Sequence, residues 1–323
     1  MEAIAAPVDK RLVMMELTPE KFLKKTNRGD NEIYIFKNHE APNTMLEIGR
    51  LREFAFRLSG GGTGCALDID LHDTCENAYT QLIVWDPRAE EIVGGYRYML
   101  GWDCKDQFDL STSELFSFSD EFLKKYLPIT IELGRSFVQP EYQNTRVNPK
   151  SIYALDNLWD GLGGLVEKYP DAKYFFGKVT MYPSYNVEAR DKLHFFLRKY
   201  FQDTDKLIVP IAELPMELHP DLHCSVFCGA DYAEDLRILN KELKTLGERI
   251  PPLINSYMSL SPSMRVFGTA INHEFGQVEE TGILIDIDDI YWEKIERHVG
   301  IQRLGFLKKL KLRRTKRRAK AAL

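Results

Sequence analysis

Long hydrophobic runs are missing from this chain. Its 323 residues contain no uninterrupted apolar stretch of the about 18 residues that identify a membrane-spanning helix. The first 21 residues carry a charge every few positions and lack the apolar core of a secretory signal peptide. We therefore expect a cytoplasmic protein without a transmembrane segment.

Cysteine is scarce, and the number of cysteines is odd. The five cysteines follow no disulfide-framework spacing, which favours reduced thiols. Two of them join two histidines in the i, i+4 spacing that zinc on a helix would use; these residues are His219, His223, Cys224 and Cys228. Because Pro220 interrupts such a helix, we expect no metal site.

Signs of disorder and of internal repeats are also missing. With 44% hydrophobic and 11% aromatic residues, most of the chain has enough apolar surface to build a core. The length suggests about two domains of about 150 residues each. We predict a core at 1–205, a C-terminal extension packed on it at 206–303, and a tail at 304–323.

The charge is unevenly distributed. The net charge is −5, from 43 basic and 48 acidic residues, but segment 308–320 holds nine basic residues and no acid. The basic residues are Lys308, Lys309, Lys311, Arg313, Arg314, Lys316, Arg317, Arg318 and Lys320. They follow or interleave with apolar residues, namely Leu304, Phe306, Leu307, Leu310 and Leu312, a pattern typical of an interfacial amphipathic helix.

We expect this tail to bind an anionic membrane surface, with about 1 kcal/mol from each basic residue near the leaflet. The protein would then lie peripherally on the inner face of the membrane. A carrier-protein site and a solvated terminus are the alternatives, and nucleic acid is not the expected partner.

The hydrophobic pattern changes between the periods of strands and helices. Alternation predicts strands at 32–36, 81–85, 91–100, 129–138, 172–179 and 282–287. Helical spacing predicts helices at 46–58, 151–167, 187–201, 232–246 and 290–299, with a short helix at 18–25. Antiparallel pairs that precede a β-α-β-α run predict an α/β (α+β) fold, in which helices flank a mixed, mostly antiparallel sheet.

The strand that contains Glu132 and Arg135 is the most informative segment. Two residues three apart on a regular strand point to opposite faces. They converge only if Gly134 marks a β-bulge, which would also free backbone N–H groups for a developing oxyanion. The alternative is an ordinary half-buried strand with an ion pair between the two side chains.

Two further groups of residues lie upstream of this strand. Arg52 and Phe56 are four residues apart on one face of a predicted helix. After a glycine-rich segment, Asp68, Asp70 and Asp73 could bind a cation, a substrate amine or basic side chains. No EF-hand pattern follows them, and a solvated acidic turn is the alternative.

Together these parts resemble acyl-homoserine-lactone synthases, which are carrier-protein-dependent members of the N-acetyltransferase (GNAT) superfamily. The motifs occur in the same order: Arg52-x-x-x-Phe56, Asp68-x-Asp70-x-x-Asp73, Gly94-Gly95-Tyr96-Arg97 and Glu132-Leu133-Gly134-Arg135. The resemblance is closer to the bacterial amino-acid N-acyltransferases, also labelled haemolysins, that begin ornithine- and glycine-lipid synthesis. The motifs for that family are ELGRSFV at 132–138, LWDGL at 158–162, PPLINSY at 251–257 and GTAINHEF at 268–275.

The sequence departs from the lactone-synthase pattern at Asp68, where those enzymes usually carry Glu, and at Gly134, where they usually carry Ser. The second half has no counterpart in them. The Glu132 strand is not followed by the glycine loop that binds the pyrophosphate of acetyl-CoA. These departures favour the amino-acid N-acyltransferases and a carrier-protein thioester donor.

The resemblance implies a GNAT-like fold and acyl transfer from an acyl-carrier-protein thioester to the α-amino group of an amino acid. Glycine is the favoured acceptor and ornithine the next, in the first step of aminolipid synthesis. An acyl-CoA is the alternative donor, and no resident cofactor is expected. A lactone-type signal synthase and a non-enzymatic membrane-binding protein remain the alternative functions.

The implied site follows residue by residue. Glu132 is the candidate general base, because a protonated amine must lose a proton before it attacks a thioester. Arg135 would orient Glu132 or bind a carboxylate. The expected substrate-binding residues are Arg52, Phe56, Asp68, Asp70, Asp73, Arg97 and Ser136. Of these, Arg52 and the three aspartates are expected to order the loop that closes over the substrates.

Overall fold

A computed structural model describes residues 1–143, 151–215, 226–229 and 231–298. Its helices are α1 (Lys10–Glu16), α2 (Pro42–Leu58), α3 (Leu71–Thr74), α4 (Ser151–Lys168), α5 (Val187–Phe201), α6 (Tyr232–Thr245), α7 (Pro252–Met258) and α8 (Trp292–His298). Its strands are β1 (Phe22–Lys25), β2 (Glu32–Phe36), β3 (Thr80–Asp86), β4 (Glu91–Leu100), β5 (Phe116–Phe118), β6 (Thr130–Val138), β7 (Tyr174–Met181), β8 (Ile208–Pro210), β9 (Arg265–Asn272) and β10 (Val278–Asp286).

One large sheet organises the fold. Its eight strands run in the order β1-β2-β3-β4-β6-β7-β10-β9, while β5 and β8 form a separate pair. All neighbours in the large sheet are antiparallel except β6 and β7, which are parallel. The crossover between β6 and β7 contains α4, as a parallel connection requires. The predicted mixed, mostly antiparallel sheet is confirmed.

Helices cover both faces of this sheet. On one face, here called the α2 face, Met45 and Ile48 of α2 pack with Ile83 and Trp85. On the other, here called the α4 face, α4 and α5 pack over the central strands; the buried residues include Leu158, Leu165, Leu193, Phe196, Ile131 and Phe175. Burying each such side chain contributes about 1.5–3 kcal/mol, so the two apolar faces hold the sheet between the helices.

The central strands β6 and β7 separate part-way along their length. Their parallel pairing runs from Thr130–Tyr174 to Leu133–Gly177. Beyond that point β6 continues to Val138 beside β4, and β7 continues to Met181 beside β10. The two strands therefore diverge and leave a cleft in the middle of the sheet.

Most predicted elements are present, and their bounds lie within four residues of the expected ones. The prediction for 18–25 is wrong, because a 3₁₀ turn at Pro19–Lys21 leads into β1. Six further elements were not predicted, namely α1, α3, α7, β5, β8 and β9. The predicted end of the last helix at 299, the zinc-like residues His219, His223 and Cys224, and the whole tail lie outside the described residues.

The C-terminal half shares the sheet with the first half. Strand β10 pairs with β7 over eight residue pairs from Glu279–Met181 to Asp286–Tyr174, and β9 follows on its other side. The domain division at 205 stays a prediction. Within the described ranges, no helix is long and apolar enough to cross a bilayer.

Candidate active site

Strand β6 contains a bulge in the segment where the sequence left a bulge and a regular strand as alternatives. Between the pairs Gly95–Phe137 and Arg97–Gly134, β6 has one residue more than β4. Ile131 packs on the α4 face and Phe137 on the α2 face, although they are six apart and a regular strand would place them on the same face. The extra residue thus brings Glu132 and Arg135 to the same face, the arrangement that the sequence allowed only if this strand contains a bulge.

The left-handed backbone of this bulge lies on Arg135 itself, with φ 50°, and not on Gly134. A non-glycine residue in this region carries about 1–3 kcal/mol of strain and is held there by its surroundings. The bulge lies one to three residues beyond Leu133, where pairing with β7 ends. Backbone groups of β6 on that side are therefore free to face the cleft.

Glu132 is buried in a small hydrogen-bond network, with 1% of its surface exposed. The Tyr79 hydroxyl donates to one carboxylate oxygen, and the Thr112 N–H donates to the other at 3.0 Å. The Ser111 N–H donates to the Tyr79 hydroxyl at 2.7 Å. Burial and the nearby Glu132 raise the pKa of Tyr79 well above its usual value, so the phenol stays a donor to the carboxylate.

Arg52 is fully buried and anchors Asp73. One terminal nitrogen of its guanidinium lies 3.2 and 3.1 Å from the two Asp73 oxygens, and the other donates to Gln81 at 2.5 Å. Burial alone would raise the pKa of Asp73, but Arg52 and Arg97 outweigh it and hold that pKa below its usual value. Asp73 is therefore a structural anion in a buried pair.

Arg97 and Arg135 extend this network toward the cleft. Arg97 lies 2.6 Å from an Asp70 oxygen and 2.9 Å from Asp73. Arg135 pairs with Asp70 at 3.3 Å and places its Nε 3.1 Å from Asp68. Three guanidinium groups thus face three carboxyl groups, and this cluster is largely balanced in charge.

The two outer aspartates differ in environment. Asp68 has no exposed surface, and burial raises its pKa despite Arg135, Arg52 and Arg97. Asp70 caps α3 by accepting from the Asp73 N–H at 3.2 Å; burial would raise its pKa, but Arg97 holds that pKa below the usual value. The alternative of a solvated acidic turn is wrong for Asp68 and Asp73.

Arg135 does not pair with Glu132, so it does not orient that carboxylate, which was one of the two roles expected for it. Its guanidinium pairs with Asp68 and Asp70 and stacks on the Phe275 ring, 4.3 Å from the centroid. Phe275 packs edge-on against Phe56 with centroids 5.1 Å apart. Phe56 therefore acts through Phe275 as a support for Arg135.

The glycine-rich loop is held by a residue that the sequence analysis missed. Glu53 accepts from the Thr63 N–H at 3.0 Å, the Thr63 hydroxyl at 2.8 Å and the Gly64 N–H at 2.8 Å. Arg57 donates to the same carboxylate at 2.6 Å. Glu53, next to the predicted Arg52, is thus the group that orders this loop.

The cleft between β6 and β7 opens into a cavity of about 740 Å³ with a polar end. Its polar lining residues include Arg97, Ser111, Glu114, Arg135, Ser136, Lys178, Thr180 and Glu280. Glu132 does not line the cavity, whereas Ser111, the neighbour of its hydrogen-bond partner Thr112, does. Residues 247–253 from the C-terminal half also line the cavity.

A narrow apolar slot of about 60 Å³ continues from this cavity. It lies between the sheet and helices α4 and α7, and its lining includes Leu133, Leu158, Trp159, Leu253, Tyr257 and Ile283. Ser136 and Arg135 border both spaces. The site therefore joins a charged chamber to an apolar slot at the β6 bulge.

Residues 51–150 match the model of the acetyltransferase (GNAT) domain family. The chain is 56% identical over 305 residues to glycine N(alpha)-acyltransferase of Bacteroides thetaiotaomicron, with 93% of this chain and 90% of that protein covered. The chain belongs to this family of N-acyltransferases.

A second member, glycine N(alpha)-acyltransferase of Phocaeicola vulgatus, is 55% identical, with 93% of each chain covered. The predicted amino-acid N-acyltransferase family and its GNAT-like fold are confirmed. Among solved structures, TofI in complex with an inhibitor and MTA has a TM-score of 0.39 at 10% identity, covering 82% of this acyltransferase and 96% of TofI. The AHL synthase LasI has a TM-score of 0.31 at 12% identity, covering 46% and 72%.

Proposed function

We propose that this acyltransferase transfers a fatty acyl group from a carrier-protein thioester to the α-amino group of glycine, as the first step of an aminolipid synthesis. The observation that supports glycine as the acceptor is the 56% identity to a glycine N(alpha)-acyltransferase over nearly the whole chain. The charged chamber joined to an apolar slot also supports this reaction, because the amino acid is a charged substrate and the fatty acyl chain is an apolar one.

The acyl donor lies across the β6 bulge. The fatty chain enters the apolar slot, where each buried CH₂ contributes about 0.8 kcal/mol to binding. The thioester carbonyl lies beside the free edge of β6 near Arg135 and Ser136. Backbone N–H groups that are not used by β7 stabilise the oxyanion as it develops.

Glu132 accepts the proton that the amine loses. Because its buried carboxylate does not line the chamber, we expect one bridging water to connect the carboxylate to the amine, an arrangement through which general bases operate. The hydrogen bonds from Tyr79 and Thr112 fix the carboxylate in place. The amine nitrogen forms the amide bond, the C–S bond breaks, and the carrier-protein thiol leaves with a proton.

An exposed basic stripe on α6 supports the carrier protein as donor. Arg237, Lys241 and Lys244 follow the i, i+4, i+7 spacing of one helix face, and they are exposed. Exposed Arg249 follows at the cavity wall. Such a stripe attracts an acidic protein, and it leads to the chamber in which the thioester must lie.

The basic tail supports a place at the membrane. Its nine cations at 308–320 would be screened by salt over about 8 Å at physiological ionic strength. We expect the intact chain to sediment with anionic vesicles at low salt and less at high salt, whereas a chain without 304–323 stays in solution and keeps acyl transfer. Equal sedimentation of both chains would contradict this role.

The deciding experiment is product mass. Purified enzyme is incubated with an acyl-carrier-protein thioester and glycine, ornithine or S-adenosylmethionine in parallel, and the lipid extract is analysed by mass spectrometry. We expect N-acylglycine as the main product. An acyl-lactone from S-adenosylmethionine, or no product with any acceptor, would contradict the proposal.

A further inference from the structure

A buried ion pair lies in the wall of the charged chamber, on strands that the site of Glu132 does not use. Lys178 on β7 places its Nζ 2.9 Å from a Glu280 oxygen on β10. The side chains are 11% and 5% exposed, and both residues line the cavity. A buried ion pair contributes little net stability on its own, so its place in the chamber calls for another explanation.

The sheet register aims this pair into the chamber. Lys178 lies opposite Gly282 and Glu280 lies opposite Thr180, so the charged residues are diagonal neighbours on one face, within reach of long side chains.

Each partner keeps capacity for a further ligand. The Lys178 ammonium has three donors, and its second contact is a long one of 3.4 Å to the Ser111 carbonyl. The Glu280 carboxylate accepts from Thr180 and Asn272 at 3.4 Å each. By contrast, the chamber's arginines already face aspartates at 2.6–3.3 Å.

The pair also lies beside the candidate base. Lys178 contacts the carbonyl of Ser111, and the next residue, Thr112, donates its N–H to Glu132. The segment Ser111–Thr112 therefore contacts the Lys178 ammonium through one residue and the Glu132 carboxylate through the next. An α-amino acid carries its amine and carboxylate one carbon apart, so a base and a carboxylate anchor must be neighbours in the same way.

We propose that Lys178 and Glu280 form the recognition site for the zwitterionic amino acid, with Lys178 binding its carboxylate and Glu280 its amino group. The inference rests on the proposed acyl transfer to an amino acid. A zwitterion aligned antiparallel to the ion pair offers an opposite charge to both Lys178 and Glu280. An uncharged amine cannot do this.

The test compares an amino acid with its amide. Steady-state rates are measured for glycine and glycinamide with the wild-type enzyme and with Lys178→Met. A hydrogen bond to a charged group contributes about 1.5–3 kcal/mol, so we expect the variant to raise the KM for glycine about 10- to 100-fold. The KM for glycinamide and both kcat values should change less than about threefold.

Two further variants test whether the change in preference comes from the loss of Lys178 itself. Lys178→Met with Glu280→Gln removes the unpaired buried carboxylate and should show the same loss of preference. Lys192→Met is the control, because Lys192 on α5 is about as buried as Lys178 and pairs with Glu188 and Glu242 at 2.8 and 2.7 Å. These two carboxylates are more exposed than Glu280 and do not line the chamber, so this variant should leave the preference unchanged.

An unchanged glycine-to-glycinamide preference in both Lys178 variants would overturn the inference, as would an equal loss for the two acceptors. If the wild-type enzyme prefers another amino acid, glycine as the acceptor is wrong, and the same comparison is made with that amino acid and its amide. The two failures are thereby separated.

Discussion

Replacing Glu132 by Gln tests the proposed base most directly. The substitution keeps the size of a side chain that is 1% exposed and removes its charge. The carboxylate accepts two hydrogen bonds, from Tyr79 and Thr112. A glutamine can turn its oxygen to the Thr112 N–H and its NH₂ to the Tyr79 oxygen, which has a second lone pair beside its bond from Ser111.

For Glu132→Gln, the expected loss of stability is therefore small and the expected loss of rate is large. One rearranged hydrogen bond costs about 1 kcal/mol of stability, so the urea midpoint should shift little. Loss of a general base lowers the rate by about 10²- to 10⁴-fold. The assay is the initial rate of N-acylglycine formation at pH 7, measured by mass spectrometry beside urea unfolding curves.

Tyr79→Phe serves as the comparison, because it removes the same hydrogen bond and keeps the carboxylate. We expect it to lose less than about tenfold in rate, although it leaves the Ser111 N–H without its partner. If Glu132→Gln is as active as the wild type, or if both variants lose the same factor, Glu132 is a structural residue and the proposed proton transfer is wrong.

Three further predictions concern the buried network, the slot and pH. Arg52→Met should destabilise the fold by about 3 kcal/mol, the low end for a broken buried pair because Arg97 stays near Asp73, and added Asp73→Asn should restore part of the urea midpoint. Ile283→Phe in the slot wall should lower kcat/KM about fourfold for each CH₂ that no longer fits, so a short-chain donor should lose less than a long-chain one. Burial, then Arg190 and Arg198, lower the pKa of His194 to about 4, so the folded protein prefers the neutral imidazole. The free energy of unfolding should therefore fall by about 3 kcal/mol between pH 6.5 and 4, as the unfolded chain binds the proton. In urea unfolding curves, His194→Gln should lack this part of the loss of stability in acid.

The sequence was sufficient for the parts of the fold that depend on local patterns. Alternation located β2 and β4, and Gly134 between two charged residues indicated that β6 could contain a bulge. It could not show the pairing of β10 with β7, because about 100 residues separate Lys178 from Glu280 and either strand could pair elsewhere. The site residues that depend on this pairing were missed for that reason.

Other missed residues had a weak local signal. Tyr79 precedes and Gln81 opens an apolar strand, where a polar side chain resembles a solvent-facing position. Only the fold shows that they are buried, Gln81 against Arg52 of α2 and Tyr79 beside Leu110 and Phe116. Glu53 is adjacent to Arg52, and the glycine loop that it binds lies about ten residues away. Hydrogen bonds of this kind depend on the fold and have no fixed spacing.

The position of β10 beside β7 has a consequence for synthesis of the chain on the ribosome. Until residues 278–286 emerge, β7 pairs only with β6 and is the edge strand of the sheet, and an exposed edge promotes association with other chains. Pairing over such a sequence distance is slow, so the nascent protein depends on its last strands for protection. A fragment that ends near residue 205 would keep that edge and lack the far wall of the chamber, and we expect it to aggregate without activity.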